Sequence, residues 1–188
     1  DRPIIALAPM EDVTDTALRE LLLTIADPTA LHVVMTEFVS TDGLVHRKAR
    51  NRIIHRLRVT DEERQLLKEK NVKIVAQIWG NTPENYTQII REIAEEMEFD
   101  GIDINMGCPV PKVVRRGCCS GLIGNPTLAK EIIQAAQEAS HLPVSVKTRI
   151  GLKSIATEEW AAHLLETRPA ALTFHGRTHQ QMPVGPAH

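Results

Sequence analysis

Short runs of apolar residues recur along the chain, without the alternating polar positions that mark a half-exposed strand. Continuous apolar runs of this length are typical of strands buried on both faces, as in a parallel sheet. The pattern predicts six such strands, at residues 4–10, 32–37, 73–78, 101–105, 143–148 and 170–175. None of the runs is long enough to span a membrane as a helix, so no membrane association is expected.

The segments between these runs carry a helical period and helix-start signals. Thr82-Pro83 and Asn125-Pro126 each combine a capping residue with proline at the first helical position. Further helices are predicted after Asp12 or Thr14, after Thr157 and, in a shorter charged form, from Thr60 to Lys70. Strand and helix therefore alternate six times, which predicts an α/β fold.

Two features favour a closed barrel over an open doubly wound sheet. The first strand is followed by Pro9-Met10-Glu11-Asp12, where a dinucleotide-binding open sheet would carry a Gly-x-Gly-x-x-Gly turn. Polar residues also end every strand, which suits a ring of site residues at one barrel mouth, whereas an open sheet gathers its ligand at one switch point. We therefore predict a (β/α)8 TIM barrel as a single domain over residues 1–188.

Length modifies this prediction. A complete barrel takes roughly 250 residues, whereas the chain has 188, and only about six β/α units can be recognised in it. We therefore expect an incomplete barrel that stops before strands seven and eight. The outer strands of an unclosed sheet expose unpaired backbone groups, so self-association through these open edges is also expected.

Composition sets bounds on the function. With 22 basic and 24 acidic residues, the net charge of −2 gives no bulk attraction to nucleic acid. A basic stretch follows the second strand and is interpreted either as a solvated helix and loop or as a local RNA-facing patch; it contains Arg47, Lys48, Arg50, Arg52, His55, Arg56 and Arg58. Three cysteines, without a secretory signal in the sequence, predict a reducing, cytoplasmic setting.

Cys108 is the strongest candidate for a chemical role. It lies between Gly107 and Pro109, just past the carboxyl end of the fourth strand, where parallel α/β folds gather their catalytic residues. A structural cysteine would more often lie within a strand or on the apolar face of a helix, although a small residue packed under a loop is the alternative. No histidine is close in sequence, which favours a protonated thiol of ordinary pKa acting as an acid over an activated nucleophile.

Lys147 and Arg149 form a second candidate pair. Alternation along a strand places both side chains on the same face, at the end of the fifth predicted strand. Two cations at a barrel mouth call for an anionic or polar ligand; the alternative is a lysine that ends its strand in solvent. Gln77 and His175 also lie at strand ends. The alternative for Gln77 is a side chain that bonds only the backbone, and the alternative for His175 is a histidine of the core.

Six segments together resemble the motifs of the tRNA-dihydrouridine synthases. In chain order they are residues 8–15, 36–38, 77–80, 103–112, 146–151 and 175–178, and the most specific are Asn-Met-Gly-Cys-Pro at 105–109 and His-Gly-Arg-Thr at 175–178. The resemblance runs from Pro3 to Pro186. It implies a flavin-dependent (β/α)8 barrel followed by a helical tRNA-binding domain, and we expect that second domain to be absent from this chain.

The resemblance also implies a reaction and roles for individual residues. Members of the family reduce the C5=C6 bond of uridine in tRNA to 5,6-dihydrouridine, with FMN reduced by NADPH, and Cys108 would donate the proton. The residues expected to contact FMN are Pro9, Met10, Glu11, Gln77, Lys147 and His175. Asn105 and Arg149 would contact the target uridine, and Ser40 would contact the RNA.

The chain departs from the family pattern at Cys118 and Cys119, where relatives generally carry smaller residues. Adjacent cysteines rarely form a disulfide, and no metal ligands stand at a suitable spacing, so we expect two small side chains packed beneath the flavin. Two alternative functions remain at this point. One is a related FMN-barrel reductase of a free small molecule, and the other is a non-catalytic fragment of such an enzyme.

Overall fold

The computed structural model describes residues 3–27 and 29–188, to which all structural statements refer. The strands are β1 (Ala6–Leu7), β2 (Val33–Met35), β3 (Val39–Ser40), β4 (Lys73–Trp79), β5 (Gly101–Met106), β6 (Val144–Arg149) and β7 (Ala171–His175). The helices are α1 (Thr16–Ile25), α2 (Thr41–Val45), α3 (Arg47–Ile53), α4 (Asp61–Lys70), α5 (Pro83–Glu96), α6 (Pro111–Val114), α7 (Pro126–Ala139) and α8 (Thr157–Leu165). Short 3-10 turns cover Ile54–Leu57 and Cys119–Gly124.

All strands run parallel in one sheet of order β1-β2-β4-β5-β6-β7, with the short β3 pairing β4. Successive parallel strands joined by helices form a half-barrel, which confirms the predicted α/β class and the partial (β/α)8 barrel. The register sets candidate residues beside one another on neighbouring strands, because Asn105 pairs with Lys147 and Arg149 with His175. The carboxyl ends of these strands therefore form one continuous rim.

The core lies on both faces of the sheet. Ile102 and Ile104 of β5 are fully buried, and so are Ile89 of α5 and Ile132 of α7 on the helical layer. Alternation then directs the intervening residues of β5, including Asp103, to the opposite face. Asp103 is also fully buried, so that face is an interior lined by polar groups.

The first β/α unit differs from the sequence prediction. Only Ala6–Leu7 of the predicted run pairs as a strand, because the chain turns where Thr14 N–H bonds the carbonyl of Met10 at 3.0 Å. Asp12 lies in this turn with a φ of 58°. Helix α1 is capped by Asp15, whose side chain accepts from the backbone of Leu18 at 2.9 Å, so the expected caps at Asp12 and Thr14 are wrong.

The segment after β2 is more structured than the sequence indicates. The predictions miss β3, α2 and α3, while the charged helix from Thr60 is confirmed as α4, with Thr60 as its cap. A fully buried ion pair holds α4 against α1: Arg19 Nε lies 2.6 Å from Glu63 Oε1. Arg19 also donates to the carbonyls of Thr14 and Arg58, at 2.6 and 2.8 Å. Every polar group of this pair is thus used within the fold.

None of the described helices is both long and apolar enough to cross a membrane. No group of three or more potential metal ligands was found among residues 3–27 and 29–188.

Candidate functional site

A cavity of about 320 Å³ opens at the carboxyl ends of the strands. It is lined by Pro9, Met10, Glu11, Phe38, Gln77, Asn105, Gly107, Cys108, Pro109, Lys147, Arg149 and His175. Every site residue predicted from the sequence lines this cavity except Ser40. The Ser40 hydroxyl instead caps α2 by accepting from the backbone N–H of Gly43 at 3.2 Å.

A second cavity, of about 350 Å³, lies at the amino ends of the strands. Its walls include Asn71, Lys73 and Asp100, at the starts of β4 and β5. Lys73 and Asp100 form an ion pair there at 2.9 Å. In β/α barrels chemistry gathers at the carboxyl-end face, and the opposite face contributes stability. Volume alone does not identify the site, whereas strand polarity selects the cavity that contains Cys108.

Asn105 shapes the turn that presents Cys108. Its side-chain oxygen accepts from the backbone N–H groups of Gly107 and Cys108, at 3.0 and 2.9 Å. Asparagine readily makes this local bond to backbone two or three residues further along, which closes a tight turn. The strand end and the cysteine are therefore held in a fixed relation by one side chain.

A buried chain of polar side chains supports Asn105 from below. Asn105 Nδ2 donates to Gln77 Oε1 at 3.0 Å, and Gln77 Nε2 donates to Asp103 Oδ2 at 2.6 Å. Ser145 donates to the other Asp103 oxygen at 2.5 Å. Burial raises the pKa of Asp103, although these hydrogen bonds and the charge of Lys147 oppose the rise. Gln77 is satisfied by side chains rather than by the backbone, so it couples the Cys108 turn to the barrel interior.

The Cys108 thiol is half-buried and its pKa is lowered to about 7. The largest cause is a hydrogen bond with the Cys119 side chain, which outweighs the opposing effect of burial. The backbone of Val110 and the charge of Arg149 lower the pKa further, while the charge of Glu11 raises it. The expectation of an ordinary thiol pKa is therefore wrong, because the partner that lowers it is a cysteine distant in sequence rather than a histidine.

The segment that carries Cys119 packs against the Cys108 turn. Ser120 donates to the carbonyl of Cys108 from its backbone N–H, at 3.3 Å, and from its hydroxyl, at 2.9 Å. His179 Nδ1 lies 3.0 Å from the same hydroxyl. Cys118 and Cys119 are buried free thiols, which confirms that they pack as small side chains. Their expected position beneath a flavin stays a prediction.

Arg149 joins two loops at the cavity rim. Its Nε donates to the carbonyl of Gly107 at 2.7 Å, and its Nη1 donates to the carbonyls of Thr178 and Met182, both at 3.1 Å. Burial lowers the pKa of Arg149, and the charge of Cys108 opposes this. The guanidinium therefore fixes the loop after β5 to the segment after β7 while it lines the cavity.

Lys147 and His175 face the cavity from β6 and β7. Burial lowers the pKa of Lys147, the nearby Asp103 raises it, and Arg149 lowers it. The pKa of His175 is lowered by burial and then by Arg149, Lys147 and Arg177, which favours a neutral imidazole at pH 7. Within the described residues, His175 Nδ1 is buried without a hydrogen-bond partner. Buried polar atoms nearly always have a hydrogen-bond partner, and a polar ligand in the cavity would supply one to His175 Nδ1.

Glu11 and Asp12 are held at the rim by Arg56. Arg56 forms ion pairs with both carboxylates, and Glu37 accepts from the backbone N–H of Asp12 at 2.7 Å. Burial tends to lower the pKa of Arg56, but the bond and charge of Glu11 raise it overall. One member of the basic stretch therefore has a structural role in shaping the first rim turn. Most of the others are exposed, namely Arg47, Lys48, Arg52, His55 and Arg58.

Several residues of the site were not singled out from the sequence. Phe38 forms part of the apolar wall, and its place after Thr36-Glu37 in a recognised motif could have indicated it. Asp103 could have been found by alternation, since it lies two residues before Asn105 on the same face. The sequence marked Cys119 only as a departure from the family pattern, and no local signal places Cys119 or His179 at the Cys108 turn, because both reach it through tertiary packing.

Comparison with known proteins gives a consistent result. A family model described as "Dihydrouridine synthase (Dus)" matches residues 6–188. The chain is 42% identical over 188 residues to "Probable tRNA-dihydrouridine synthase 2" of Bacillus subtilis (strain 168), and the match covers 100% of this chain and 54% of that protein. The values are the same for "Probable tRNA-dihydrouridine synthase" of Staphylococcus epidermidis strain RP62A. The chain thus spans about half the length of the curated relatives it matches.

Solved structures show likeness at the level of the fold. The carboxyl transferase domain of Rhizobium etli pyruvate carboxylase with pyruvate and biocytin superposes with a TM-score of 0.52 and 14% sequence identity. The match covers 85% of this chain and 24% of that one. Identity this low supports a shared architecture alone.

Proposed function

The chain belongs to the dihydrouridine synthase family, and from this premise we propose that the protein reduces the C5=C6 bond of uridine in tRNA to give 5,6-dihydrouridine. The observation that carries the proposal is the Cys108 thiol at the cavity rim, fixed by Asn105 and facing an interior with cationic side chains. Such a thiol can supply the proton that the reduction needs at one carbon of the bond.

The cavity walls fit a flavin. Pro9, Met10 and Phe38 provide apolar surface for a flat ring system, and Lys147 brings a positive charge toward it. His175 Nδ1 is buried and lacks a partner among residues 3–27 and 29–188, so it is free to bond a polar edge of the ring. Bound FMN, re-reduced by NADPH, would supply the hydride at C6. The residues that would hold it are Pro9, Met10, Glu11, Gln77, Lys147 and His175.

Cys108 would act as the proton donor at C5. A thiol with a pKa of about 7 is partly protonated at neutral pH and can both give up a proton and regain one from solvent. Asn105 keeps the thiol at the rim, and Arg149 fixes the same turn through the carbonyl of Gly107. Arg149 contacts backbone carbonyls through Nε and Nη1, and its Nη2 group would orient the uracil. Ser40 is proposed as a contact to the RNA from the rim of α2.

The exposed basic stretch favours tRNA over a free small molecule as the substrate. Arg47, Lys48 and Arg52 are exposed on α3, and this segment continues to Arg56, which contacts the rim residue Glu11. Positive charges beside a cavity mouth suit a phosphate backbone whose base enters the cavity. A base inside an RNA stack must swing out to reach such a cavity, as in other enzymes that modify bases.

A deletion strain provides the test. The tRNA of a strain that lacks the gene is digested to nucleosides, and dihydrouridine is measured by mass spectrometry at each position. Loss at one position, restored by the wild-type gene and not by the Cys108→Ala gene, is the expected result. Unchanged dihydrouridine at every position, in a strain without a second gene of the family, would overturn the proposal. If purified protein with FMN and NADPH reduced free pyrimidines as fast as tRNA, the small-molecule alternative would replace it.

A further inference from the structure

We propose that Cys108 and Cys119 form an oxidant-sensitive dithiol, which hydrogen peroxide or an organic hydroperoxide converts into an intramolecular disulfide. The resulting bond would join the loop after β5 to the 3-10 turn at Cys119–Gly124. This is a modification site distinct from the proton-donor role of Cys108, and its chemistry does not depend on which substrate the cavity binds.

The backbone contacts bring the two cysteines together. The Ser120 N–H and hydroxyl both donate to the carbonyl of Cys108, so the peptide that follows Cys119 lies against the peptide of Cys108. The two thiols are also near enough for each to shift the pKa of the other, and both are free. A disulfide requires its two cysteines on closely adjacent backbone segments, and the Ser120 contacts provide that adjacency.

The two thiols differ in the way that peroxide chemistry requires. Cys108 is partly exposed and has a pKa of about 7, so a substantial fraction is the reactive thiolate near neutral pH. Cys119 is buried, and burial raises its pKa well above the ordinary value, with a further rise from its bond to Cys108 and from the Cys108 charge. Cys108 therefore reacts with peroxide first, and Cys119 is the resolving thiol that then forms the disulfide with it.

The steps balance in atoms and electrons. The Cys108 thiolate attacks one peroxide oxygen, the O–O bond breaks, and Cys108 sulfenic acid forms with release of hydroxide. The Cys119 sulfur then attacks the Cys108 sulfur, an S–S bond forms, and water leaves with the Cys119 proton. The two thiols lose two electrons in total, which reduce one peroxide to water. Once Cys108 is a neutral sulfenic acid, its charge no longer raises the pKa of Cys119, which favours the second step.

The backbone of Cys119 provides a second observation. Its φ is 51°, in the left-handed region where glycine is favoured and a side chain is uncommon. The fold therefore holds a cysteine beside Cys108 at a position whose conformation disfavours any side chain. Non-glycine residues in this region cluster at functional sites.

Cys118 provides the matched control. It is buried and adjacent to Cys119, but its sulfur is 4.0 Å from the carbonyl of Arg116 rather than at the Cys108 thiol. It has the same chemistry and the same loop, and differs in the direction of its side chain. A general susceptibility of loop thiols to oxidation would involve Cys118 as readily as Cys119.

The experiment uses the full-length protein with one equivalent of hydrogen peroxide, followed by alkylation in denaturant and digestion with trypsin. Cleavage after Lys112 and Arg116 separates Cys108 from Cys119, so a disulfide appears as two linked peptides that dithiothreitol separates. Wild type and Cys118→Ser should give this link in most molecules. Cys119→Ser and Cys119→Gly should give none and should accumulate Cys108 sulfinic acid at higher peroxide; Cys119→Gly suits the left-handed backbone and guards against misfolding.

Three results would overturn the proposal. The first is sulfinic acid at Cys108 in the wild type without a linked peptide. The second is a link that joins Cys108 to Cys118 in the wild type. The third is equal protection of Cys108 from over-oxidation in wild type and Cys119→Ser, a variant that keeps a hydrogen-bond donor beside Cys108 but lacks the resolving thiol.

Discussion

The side-chain oxygen of Asn105 accepts from the backbone N–H of Cys108 at 2.9 Å, so a residue of β5 also sets the position of the candidate catalytic thiol. The other end of the Asn105 amide donates to Gln77, which is bonded to the buried Asp103. Cys108 is therefore placed by a network that begins inside the barrel. Loss of the thiol and loss of its support should have related effects.

Cys108→Ala should leave reduction of the flavin by NADPH near the wild-type rate and slow uridine reduction by about 10²–10⁴-fold, the usual contribution of a positioned general acid. Stopped-flow absorbance measures the first half-reaction, and dihydrouridine formation under single turnover measures the second. Asn105→Ala should also impair the second half-reaction more than the first, because the turn loses its closing bond. Equal loss in both half-reactions of Cys108→Ala would indicate a structural cysteine.

The pH dependence of uridine reduction should report how Cys119 affects the pKa of Cys108. A proton donor must be protonated, and the pKa of Cys108 is about 7, so uridine reduction should decline as the pH rises above 7. The Cys119 bond stabilises the thiolate, hence Cys119→Gly should raise the Cys108 pKa and move the decline to higher pH. Glu11 and Arg149 also face the thiol and keep their opposing influences in that variant.

Cys119→Ser separates the hydrogen bond from the redox chemistry. Its hydroxyl can still donate to the Cys108 thiolate, so its pH profile should lie closer to that of the wild type than the Cys119→Gly profile does. Thiolate absorbance in the ultraviolet gives the Cys108 pKa directly. An unchanged Cys108 pKa in Cys119→Gly would show that burial and charge alone set the reactivity of the thiol.

Lys147 and Arg149 should have separable effects. Lys147→Met should weaken flavin binding or slow flavin reduction, because the cavity loses the cation that faces it from β6. Arg149→Met should mainly impair turnover of tRNA, because Arg149 holds the Cys108 turn through Gly107. Flavin fluorescence titration and single-turnover rates distinguish the two. Arg149→Lys should restore little, since one ammonium group cannot reproduce the three carbonyl contacts of the guanidinium.

Should Arg149→Met lose the flavin while Lys147→Met keeps it, the two roles would be exchanged. The structure already limits the sequence interpretation of Arg149. A strand pattern indicates that its side chain points to the barrel mouth, but it does not reveal that backbone carbonyls of two loops share the guanidinium.

The extent of sequence prediction follows from the range of the interactions involved. Local patterns sufficed for β4, β5 and β6, which are buried runs, and for α5 and α7, which begin at Pro83 and Pro126. The ring of site residues was predictable because strand polarity places them all at one rim. The effect of Cys119 on the pKa of Cys108 was not, since it depends on how the segment after α6 folds back over the turn. The buried Arg19–Glu63 pair likewise joins residues 44 positions apart.

The Arg19–Glu63 pair should dominate the response of this region to substitution. Arg19→Met leaves the Glu63 carboxylate buried without its partner and should lower the free energy of unfolding by about 3–5 kcal/mol. The double variant Arg19→Met, Glu63→Leu should recover most of this loss, because neither charge is then buried. Lys130→Met, which breaks an exposed ion pair with Glu166, should change stability little. Urea unfolding measures the free energy of unfolding of the three variants. A double variant that loses at least as much stability as Arg19→Met would contradict the view that the buried, unpaired Glu63 carboxylate causes the loss.

Purified residues 1–188 should self-associate through the edges of the sheet. In the described sheet β1 and β7 each pair on one side only, and Ala171 and Thr173 of β7 are exposed, as are Ile4 and Ile5 before β1. Exposed strand edges pair with other chains, and a charge on such an edge opposes this. Ala171→Lys should therefore reduce the association. The control Glu95→Lys, at an exposed position of α5 away from the sheet edge, should leave it unchanged. Sedimentation velocity of the purified chain over a range of concentrations provides the measurement, and a monomer throughout that range would contradict the expectation.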